Sequence, residues 1–354
     1  MAFAKSKPLI VPVFIPHAGC PHRCVFCDQT AATGRKETFP RIDDVHAAID
    51  GFLSYCRPRS RRVEIAFFGG NFLGLPPARV QGLLDIARTY VDRRLAHGIR
   101  FSTRPDTIDP ERLEMLRRFP VSTVELGVQS MNDEVLKQSR RGHTSEAVRL
   151  AVELLKSQPY CLGLQMMIGL PGQTESHVLE TGHQLADMAP DFVRIYPVLV
   201  LSGSRLARWY DQGRYQPLSL DDAVQQVKSL YRIFMQAGIA VARMGLQTTC
   251  EISPGGAVVA GPFHPAFGEL VYSELWLEAI CGCMRKEKPR GKTVRLALQA
   301  RNRSQVVGQK GRNLKQLCAL FNLTEIEIDT VADVPLDTVM IDGNLCRLPI
   351  QTMP

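Results

Sequence analysis

The feature that most limits what this chain can fold into is an alternation running through its first two thirds. Short apolar, β-branched runs stand at 9–15, Val63–Phe68, Ile99–Thr103, Val121–Val128, Leu162–Ile168 and Phe192–Val200, with a weaker one at Ile239–Arg243. Between them, apolar residues recur at helical spacing over about 43–56, 78–96, 109–118, 145–156, 175–188 and 219–237. Some helix starts are marked, as at Asp109-Pro110-Glu111, where a capping carboxylate precedes a proline at the first helical position. Strands joined through crossover helices pair in parallel, and parallel strands covered on both faces read as nearly unbroken apolar runs. Repeated units of this kind predict an α/β fold. The expected form is a partial (βα)6 TIM-like barrel, with a doubly wound sheet as the other arrangement the pattern allows.

With 354 residues, 45% of them hydrophobic and 22% charged, the chain can build a barrel-sized domain and an appendage. No run approaches the roughly 18 apolar residues of a membrane span. Lys5 and Lys7 precede an apolar run that ends in His17-Ala18-Gly19-Cys20, which superficially resembles a lipoprotein signal. That run is short, holds Pro12 and Pro16, and has His where a small aliphatic residue is wanted, so a first strand is the better reading. The expected setting is cytoplasmic. Thiols stay reduced there, and ten cysteines in such a chain read as metal ligands, catalysts or packing residues rather than a disulfide scaffold.

Past residue 245 the character changes. Residues 1–245 are expected to form the core domain, 246–290 a linker or extension with a helix over 269–284, and 291–354 a basic C-terminal domain. From Arg285 to Cys318 there are eleven Lys or Arg and one acid, so this segment carries +10 and the rest of the chain −2. Thr293–Ala300 alternates like a strand, Ser304–Val307 suits a helical turn, Gly308-Gln309-Lys310-Gly311 interrupts, Arg312–Phe321 is helical and Glu325–Asp329 is a short strand. Strand, helix, GxxG, helix, strand is the minimal KH core, whose glycine loop clamps a nucleic-acid backbone. Gly308, Gln309, Lys310, Gly311 and Arg312 are therefore the candidate RNA contacts, with charges supplied by Lys310 and Arg312. The alternative is a packing subdomain whose charges are merely solvated.

Directly after the first strand stands Cys20-Pro21-His22-Arg23-Cys24-Val25-Phe26-Cys27. Three thiolates within eight residues can hold three irons of a [4Fe–4S] cluster and leave the fourth open to an exogenous chelator. Structural zinc is the alternative, but no fourth ligand stands at suitable spacing, and His22 lies inside the loop. Further motifs end the following strands: Gly69-Gly70-Asn71, Ser102-Thr103-Arg104-Pro105-Asp106, and Glu125-Leu126-Gly127-Val128-Gln129-Ser130. Arg141 follows twelve residues after Gln129, in Arg140-Arg141-Gly142-His143-Thr144, and Gln165 opens Gln165-Met166-Met167-Ile168-Gly169.

CxxxCxxC on the first loop resembles the signature of the radical S-adenosylmethionine (SAM) enzymes, and Phe26 sits where they place an aromatic. The resemblance implies that Cys20, Cys24 and Cys27 carry the cluster and that SAM chelates its unique iron. Reductive cleavage of SAM would then yield a 5′-deoxyadenosyl radical, with an electron donor such as flavodoxin or ferredoxin. It further implies SAM contacts from Gly69 and Gly70 (amino group), Gln129 (ribose) and Arg141 (carboxylate), with Asn71, Arg104 and Gln165 also in the site. Asn71 and Gln165 depart from the residue types usual there. Within the superfamily, Ser-Thr-Arg-Pro-Asp, Glu-Leu-Gly-Val-Gln-Ser, Arg-Gly-His-Thr and Arg194-Ile195-Tyr196-Pro197-Val198 resemble the Elongator catalytic-subunit family, which modifies tRNA wobble uridine. That family's acetyl-coenzyme A loop has its nearest match at Gln305–Lys310, which fails at the last position, so the acetyl chemistry is not expected to carry over.

The resulting expectation is a radical SAM enzyme modifying RNA, with tRNA as the class the resemblance implies. The alternatives are a small-molecule enzyme akin to coproporphyrinogen dehydrogenase, and a cluster-bearing binding protein without turnover. Tyr196, at a strand end, is a candidate pocket residue. His17, His143 and His264 are candidates to face the site, with a core or surface role as the expected reading of each. Cys281 and Cys283 suit a second cluster or a redox pair; Cys56, Cys161, Cys318 and Cys346 read as packing residues.

Overall fold

The computed structural model describes residues 8–15, 19–28, 39–55, 61–246, 256–288 and 291–347. Seven parallel strands form the main sheet: β1 (Leu9–Phe14), β2 (Val63–Phe68), β3 (Gly98–Thr103), β4 (Val121–Gln129), β5 (Cys161–Ile168), β6 (Phe192–Pro197) and, after a short β7 (Val200–Leu201), β8 (Ala240–Met244). Their order is β1-β2-β3-β4-β5-β6-β8, a curled half-barrel in which β1 and β8 are the two edges. The weakest strand of the sequence pattern thus supplies the seventh member. The strand expected over Phe192–Val200 is instead two pieces, because Pro197 has no N–H to extend the ladder; Val198 N–H still donates to Ile168 O (2.9 Å), and β7 pairs antiparallel with β9 (Val258–Ala260).

Helices fill the crossovers: α1 (Ile42–Tyr55), α2 (Pro77–Asp92), α3 (Pro110–Leu116), α4 (Asp133–Gln138), α5 (Ser145–Lys156), α6 (Glu175–Asp187), α7 (Arg205–Asp211) and α8 (Leu220–Gln236). Their starts follow from local chemistry. Asp109 accepts from Arg112 N–H at 2.8 Å ahead of α3, and Ser219 accepts from Asp222 N–H at 3.1 Å ahead of α8. Within the sheet, Phe67, Phe72 and Phe101 are fully buried and stack with centroids 5.0 and 4.7 Å apart, which ties β2, the turn after it and β3 together.

A second sheet lies in the C-terminal part. Helix α9 (Phe267–Glu287) leads to β10 (Thr293–Leu298), α10 (Arg303–Val307), α11 (Arg312–Phe321), β11 (Glu325–Thr330), β12 (Thr338–Ile341) and β13 (Asn344–Arg347), in sheet order β11-β10-β12-β13. β10 and β11 run parallel, as the α10–GxxG–α11 crossover requires. The β12–β13 hairpin turns on Asp342-Gly343, both at positive φ, as a two-residue hairpin turn requires. α9 packs against this unit: Trp276 Nε1 donates to Gln305 Oε1 (3.0 Å) and Asn313 Nδ2 to Ser273 O (2.9 Å). One cysteine assignment is corrected. Cys346 is not a packing residue and Cys283 does not pair with Cys281; Cys283 and Cys346 form a disulfide, Cα atoms 6.1 Å apart, joining the end of α9 to β13, while Cys281 is buried. The two partners lie 63 positions apart, so nothing local announces them. Cys161 and Cys318 are half-buried, and Cys56 and His17 lie outside the described residues.

Candidate active site at the mouth of the half-barrel

The sequence motifs meet at the C-terminal ends of the strands, where this class of sheet opens toward its ligands. The cysteine loop is tethered from three sides. Asn71 Nδ2 donates to Gly19 O (2.8 Å), Val25 N–H to Ser139 O (3.1 Å), and Leu206 N–H to Val25 O (2.8 Å). Gly19 has φ +74°, and a Cβ there would stand 2.2 Å from Asn71 O, so only glycine fits. Cys24 is buried; Cys20 and Cys27 are half-buried. Burial, with Cys24 and Cys20 beside it, pushes the Cys27 thiol up to about 12, and burial raises Cys20 against the nearby Arg141 cation. A bound iron would be what draws such thiols into the thiolate form. Among the described residues, no three His, Cys, Asp or Glu side chains converge on a single ion. A cubane asks for something else, since each thiolate there meets a different iron. Phe26 packs with Val25, Leu170, Val198, Leu206 and Trp209 beneath the loop.

Arg141 links this loop to β4. Its Nη2 donates to Gly127 O (2.6 Å) and its Nη1 to Cys24 Sγ (3.4 Å). A Cβ on Gly127 would lie 2.7 Å from Nη2, so glycine lets the guanidinium lie across the strand. Gln129, ending β4 beside a register shift, has φ +71°, a strained setting for a non-glycine residue and typical of ligand sites. Arg104 grips Asp106 with two bonds (2.9 and 2.8 Å). Burial alone would raise the Asp106 carboxyl; the Arg104 grip overrides it and holds it below the usual range. His143 Nε2 lies 3.2 Å from Val128 O, and burial together with Arg141 and Arg104 holds the ring neutral, at about 3. Four buried polar atoms at this place have no partner: Arg104 Nη1, Arg141 Nε, Gln129 Oε1 and His143 Nδ1. Two are donors and two are acceptors. A carboxylate would take the donors and the hydroxyls of a ribose diol the acceptors, so the residues fit SAM.

Gly69 (φ +95°) and Gly70 close β2 beside this place. Asn71 behaves differently from its expected role. It is fully buried; its Oδ1 accepts from Thr103 Oγ1 (2.7 Å), Arg104 N–H (3.0 Å) and Thr107 Oγ1 (3.1 Å) while Nδ2 holds Gly19. The side chain is committed to the scaffold. Gln165 is half-buried and donates to Glu125 Oε2 (2.9 Å).

Below the mouth runs a charged belt that the sequence analysis did not identify. Glu64 on β2 takes Arg100 on β3 (2.8 Å), Arg100 reaches Glu125 on β4 (2.9 Å), and Glu125 is held by Arg194 on β6 (2.8 and 3.0 Å), which also donates to Tyr196 Oη (3.3 Å). The signal was there: single charges placed inside otherwise apolar strands. Glu125 is fully buried, and Gln165, Arg194 and Tyr196 line the half-buried side of the belt.

Residues 14–185 match the profile of the Radical SAM superfamily, and residues 190–277 that of the Radical_SAM C-terminal domain. This chain belongs to the radical SAM superfamily. A radical SAM protein of this kind is an enzyme that works with a [4Fe–4S] cluster and SAM. The chain is similar to the tRNA uridine(34) acetyltransferase of Methanocaldococcus infernus, at 25% identity over 79% of this chain and 59% of that protein. It is similar also to human Elongator complex protein 3, at 27% identity over 63% and 50%. The fold is shared with the archaeal Elp3 of M. infernus, with a TM-score of 0.59, 21% identity, and coverage of 80% of this chain and 64% of that one. This radical SAM chain thus spans about half to three-fifths of the curated relatives it matches. No helix among the described residues is long and apolar enough to cross a membrane.

The GxxG loop lies beyond both matched regions, yet it adjoins the same mouth. Arg312 Nη1 meets Asp221 Oδ1 (3.3 Å) in the first turn of α8, and Gln309 Nε2 lies 3.2 Å from His264 Nε2. Just before α8, Leu218 packs over Gly169 at the end of β5, and Tyr215 Oη donates to Gly169 O (2.6 Å). Gly308 (φ +72°) would clash with Asn313 if it carried a Cβ, and Lys310 and Gly311 are also left-handed. Lys310, Arg301, Arg303 and Lys315 have no ion-pair partner among the described residues.

Proposed function

We propose that this radical SAM enzyme modifies an RNA, of the tRNA class, and that its GxxG loop holds the RNA backbone at the mouth of the half-barrel. The observation that carries this is the contact of Arg312 with Asp221 and of Gln309 with His264, which sets a basic glycine loop beside the strand ends. The similarity to the tRNA uridine(34) acetyltransferase of Methanocaldococcus infernus supports it. In this reading Cys20, Cys24 and Cys27 hold the [4Fe–4S] cluster and Gly69, Gly70, Arg104, Gln129 and Arg141 hold SAM. Gln165, Arg194 and Tyr196 line the pocket for the reacting group. When bound and reduced by a low-potential donor such as flavodoxin or ferredoxin, the cofactors supply a 5′-deoxyadenosyl radical. The chain's own residues orient SAM, exclude water and position the nucleotide. Arg141 does two things at once: Nη1 faces the Cys24 sulfur and Nε remains for the SAM carboxylate.

Replacing Gln309 and Lys310 together by Asp tests the RNA assignment. Both side chains are exposed and Asp tolerates the left-handed backbone of Lys310, so stability should change by about 0.5 kcal/mol or less. Filter binding of a tRNA pool should weaken more than tenfold, with SAM cleavage under dithionite without RNA unchanged. Equal RNA affinity of both proteins at low and high salt would remove the RNA and favour a small-molecule radical enzyme.

A further inference from the structure

The loop of the three cysteines is tied to its neighbours through one residue. Val25 N–H donates to Ser139 O (3.1 Å), just past α4, and Val25 O accepts from Leu206 N–H (2.8 Å) in α7. The Val25 side chain is fully buried, packed in one cluster with Val135 of α4 and Leu206 and Ala207 of α7. The exit of the loop is held as well, since a Cβ on Gly203, just ahead of α7, would stand 2.6 Å from the Asp28 carboxylate. α4 and α7 thus flank the loop where Pro21, His22 and Arg23 bring it to solvent. Both flanks present cations. Arg140, after α4, and Arg208, in α7, are exposed and have no ion-pair partner among the described residues. Arg214, also exposed, lies over the Trp209 ring (5.4 Å), and Tyr210 is 38% exposed. Opposing charge is sparse: Lys137 and Glu134 of α4 face each other at 3.9 Å, which leaves Asp211 as the exposed acid of α7. Arginine and aromatic side chains are the groups that anchor protein interfaces.

Reductive cleavage of SAM consumes one electron, which must reach the cluster from outside. Transfer weakens steeply with distance, so its carrier has to dock where the cysteine loop meets solvent. Low-potential one-electron carriers are small acidic proteins, which suits a basic face. An RNA would suit the same charge. The attachment of this face to the cysteine loop, and not to the GxxG loop that meets α8, favours the carrier. We propose that α7 and the end of α4 form the docking face for an acidic electron-carrier protein, with Arg140, Arg208 and Arg214 as charged contacts and Tyr210 as an apolar one. This rests on Cys20, Cys24 and Cys27 holding the cluster. In the transfer one electron leaves the carrier, which is oxidised, and enters the cluster, which is reduced; no bond forms or breaks. The cations steer the encounter and are screened by salt.

The test compares two reductants on the anaerobically reconstituted protein: a purified flavodoxin kept reduced by NADPH and its reductase, and dithionite, which is small enough to need no docking face. Arg208→Glu with Arg214→Glu should slow flavodoxin-driven formation of 5′-deoxyadenosine at least tenfold at about 20 mM salt, and less than about threefold at about 0.5 M, where the charges are screened. With dithionite the rate should stay within about twofold of wild type. Arg118→Glu, an exposed site in the turn ahead of β4 at the opposite end of the sheet, should behave as wild type with both reductants. Binding of oxidised flavodoxin to the immobilised, reconstituted protein without SAM should weaken in the same ratio as the flavodoxin-driven rate. Melting temperature and iron content show whether the double variant is folded and loaded; if it is not, Arg208→Glu alone takes its place, with a loss of about threefold or more. Equal losses with both reductants, or no loss with flavodoxin, overturn the proposal. Weaker binding of a tRNA pool with flavodoxin-driven turnover intact also overturns it and gives the face to RNA. A wild type inactive with dithionite would instead remove the cluster assignment, while the binding ratio still decides the docking face.

Discussion

At Gly142 the backbone turns to φ +79° and a Cβ would stand 2.2 Å from the His22 ring, inside the cysteine loop. A methyl here is opposed by the left-handed dihedral, and the exposed His22 ring would have to swing out of its place in the loop. Gly142→Ala should therefore cut the iron retained after anaerobic reconstitution by more than half. Gly51→Ala, with open space around its Cβ inside α1, should instead stabilise by about 0.5–1 kcal/mol, and iron assay with urea unfolding checks both. His143 offers a second residue-scale outcome. Its folded value of about 3 lies below the ordinary 6.5, so the unfolded chain takes up the proton first. Stability is full above pH 6.5 and falls toward pH 3, by about 1.4 kcal/mol per unit for this group. Cluster-free wild type should lose stability between pH 6.5 and 5 faster than His143→Asn by about that slope. Parallel curves would show that the ring protonates in place. Of these two residues, only His143 stood out in the sequence, as a histidine near Arg141; that its Nδ1 lacks a partner depends on Val128, and no spacing reveals it.

Among the elements, the strands carry a charge pattern whose worth depends on burial. Arg100 is 7% exposed and bridges Glu64 and Glu125, which are 3% and 0% exposed. Removing Arg100 takes the close ion pair from buried Glu64 while Arg194 still holds Glu125, so Arg100→Leu should cost about 3 kcal/mol in urea unfolding. Arg88→Leu, which breaks an exposed pair with Asp85 at the same 2.7–2.8 Å range, should cost less than about 1 kcal/mol. Element positions were legible wherever periodicity ran long: α5 and α11 fall where the sequence puts them, and α8 differs by one residue at each end. The short helices α4 and α7 were not anticipated, because six or seven residues barely complete two turns of a pattern. The β12–β13 hairpin was not anticipated either, although Asp342-Gly343 is a favoured two-residue hairpin turn.

Across the whole molecule, charge is divided within the C-terminal unit. The GxxG side holds Arg301, Arg303, Lys310, Arg312 and Lys315. The segment 319–347 that follows has six acids and one arginine, with Glu327 and Asp329 drawn onto Arg295 on the open face of the sheet. A polyanion is thus attracted to one side and repelled by the other. If about four cations contact phosphates, log affinity for tRNA against log salt should have a slope between about −3 and −4, and Gln309→Asp with Lys310→Asp should flatten it by about one unit. A slope near zero in wild type would mean that the basic surface is only solvated. The Cys283–Cys346 bridge closes a long loop between α9 and β13, so Cys346→Ser should lower the stability of the oxidised protein by up to about 4 kcal/mol, read by urea unfolding with and without reductant.

The chain's order of apolar runs was enough to determine a parallel sheet covered by helices, since strands separated by helices have few ways to bury both faces, but it left the half-barrel and the doubly wound form both open. CxxxCxxC and the strand-end motifs were enough to name the superfamily, because cofactor chemistry demands particular residue types at short, local spacings. Tertiary structure decided everything that depends on residues distant in sequence. It committed Asn71 to Gly19, Thr103 and Thr107, linked Glu64, Arg100, Glu125 and Arg194 across four strands, joined Cys283 to Cys346, and brought Arg312 to Asp221. Each of these is a long-range contact whose partners are set by how the strands curl and the helices pack, and a hydrogen bond or ion pair leaves no periodicity in the chain to betray it.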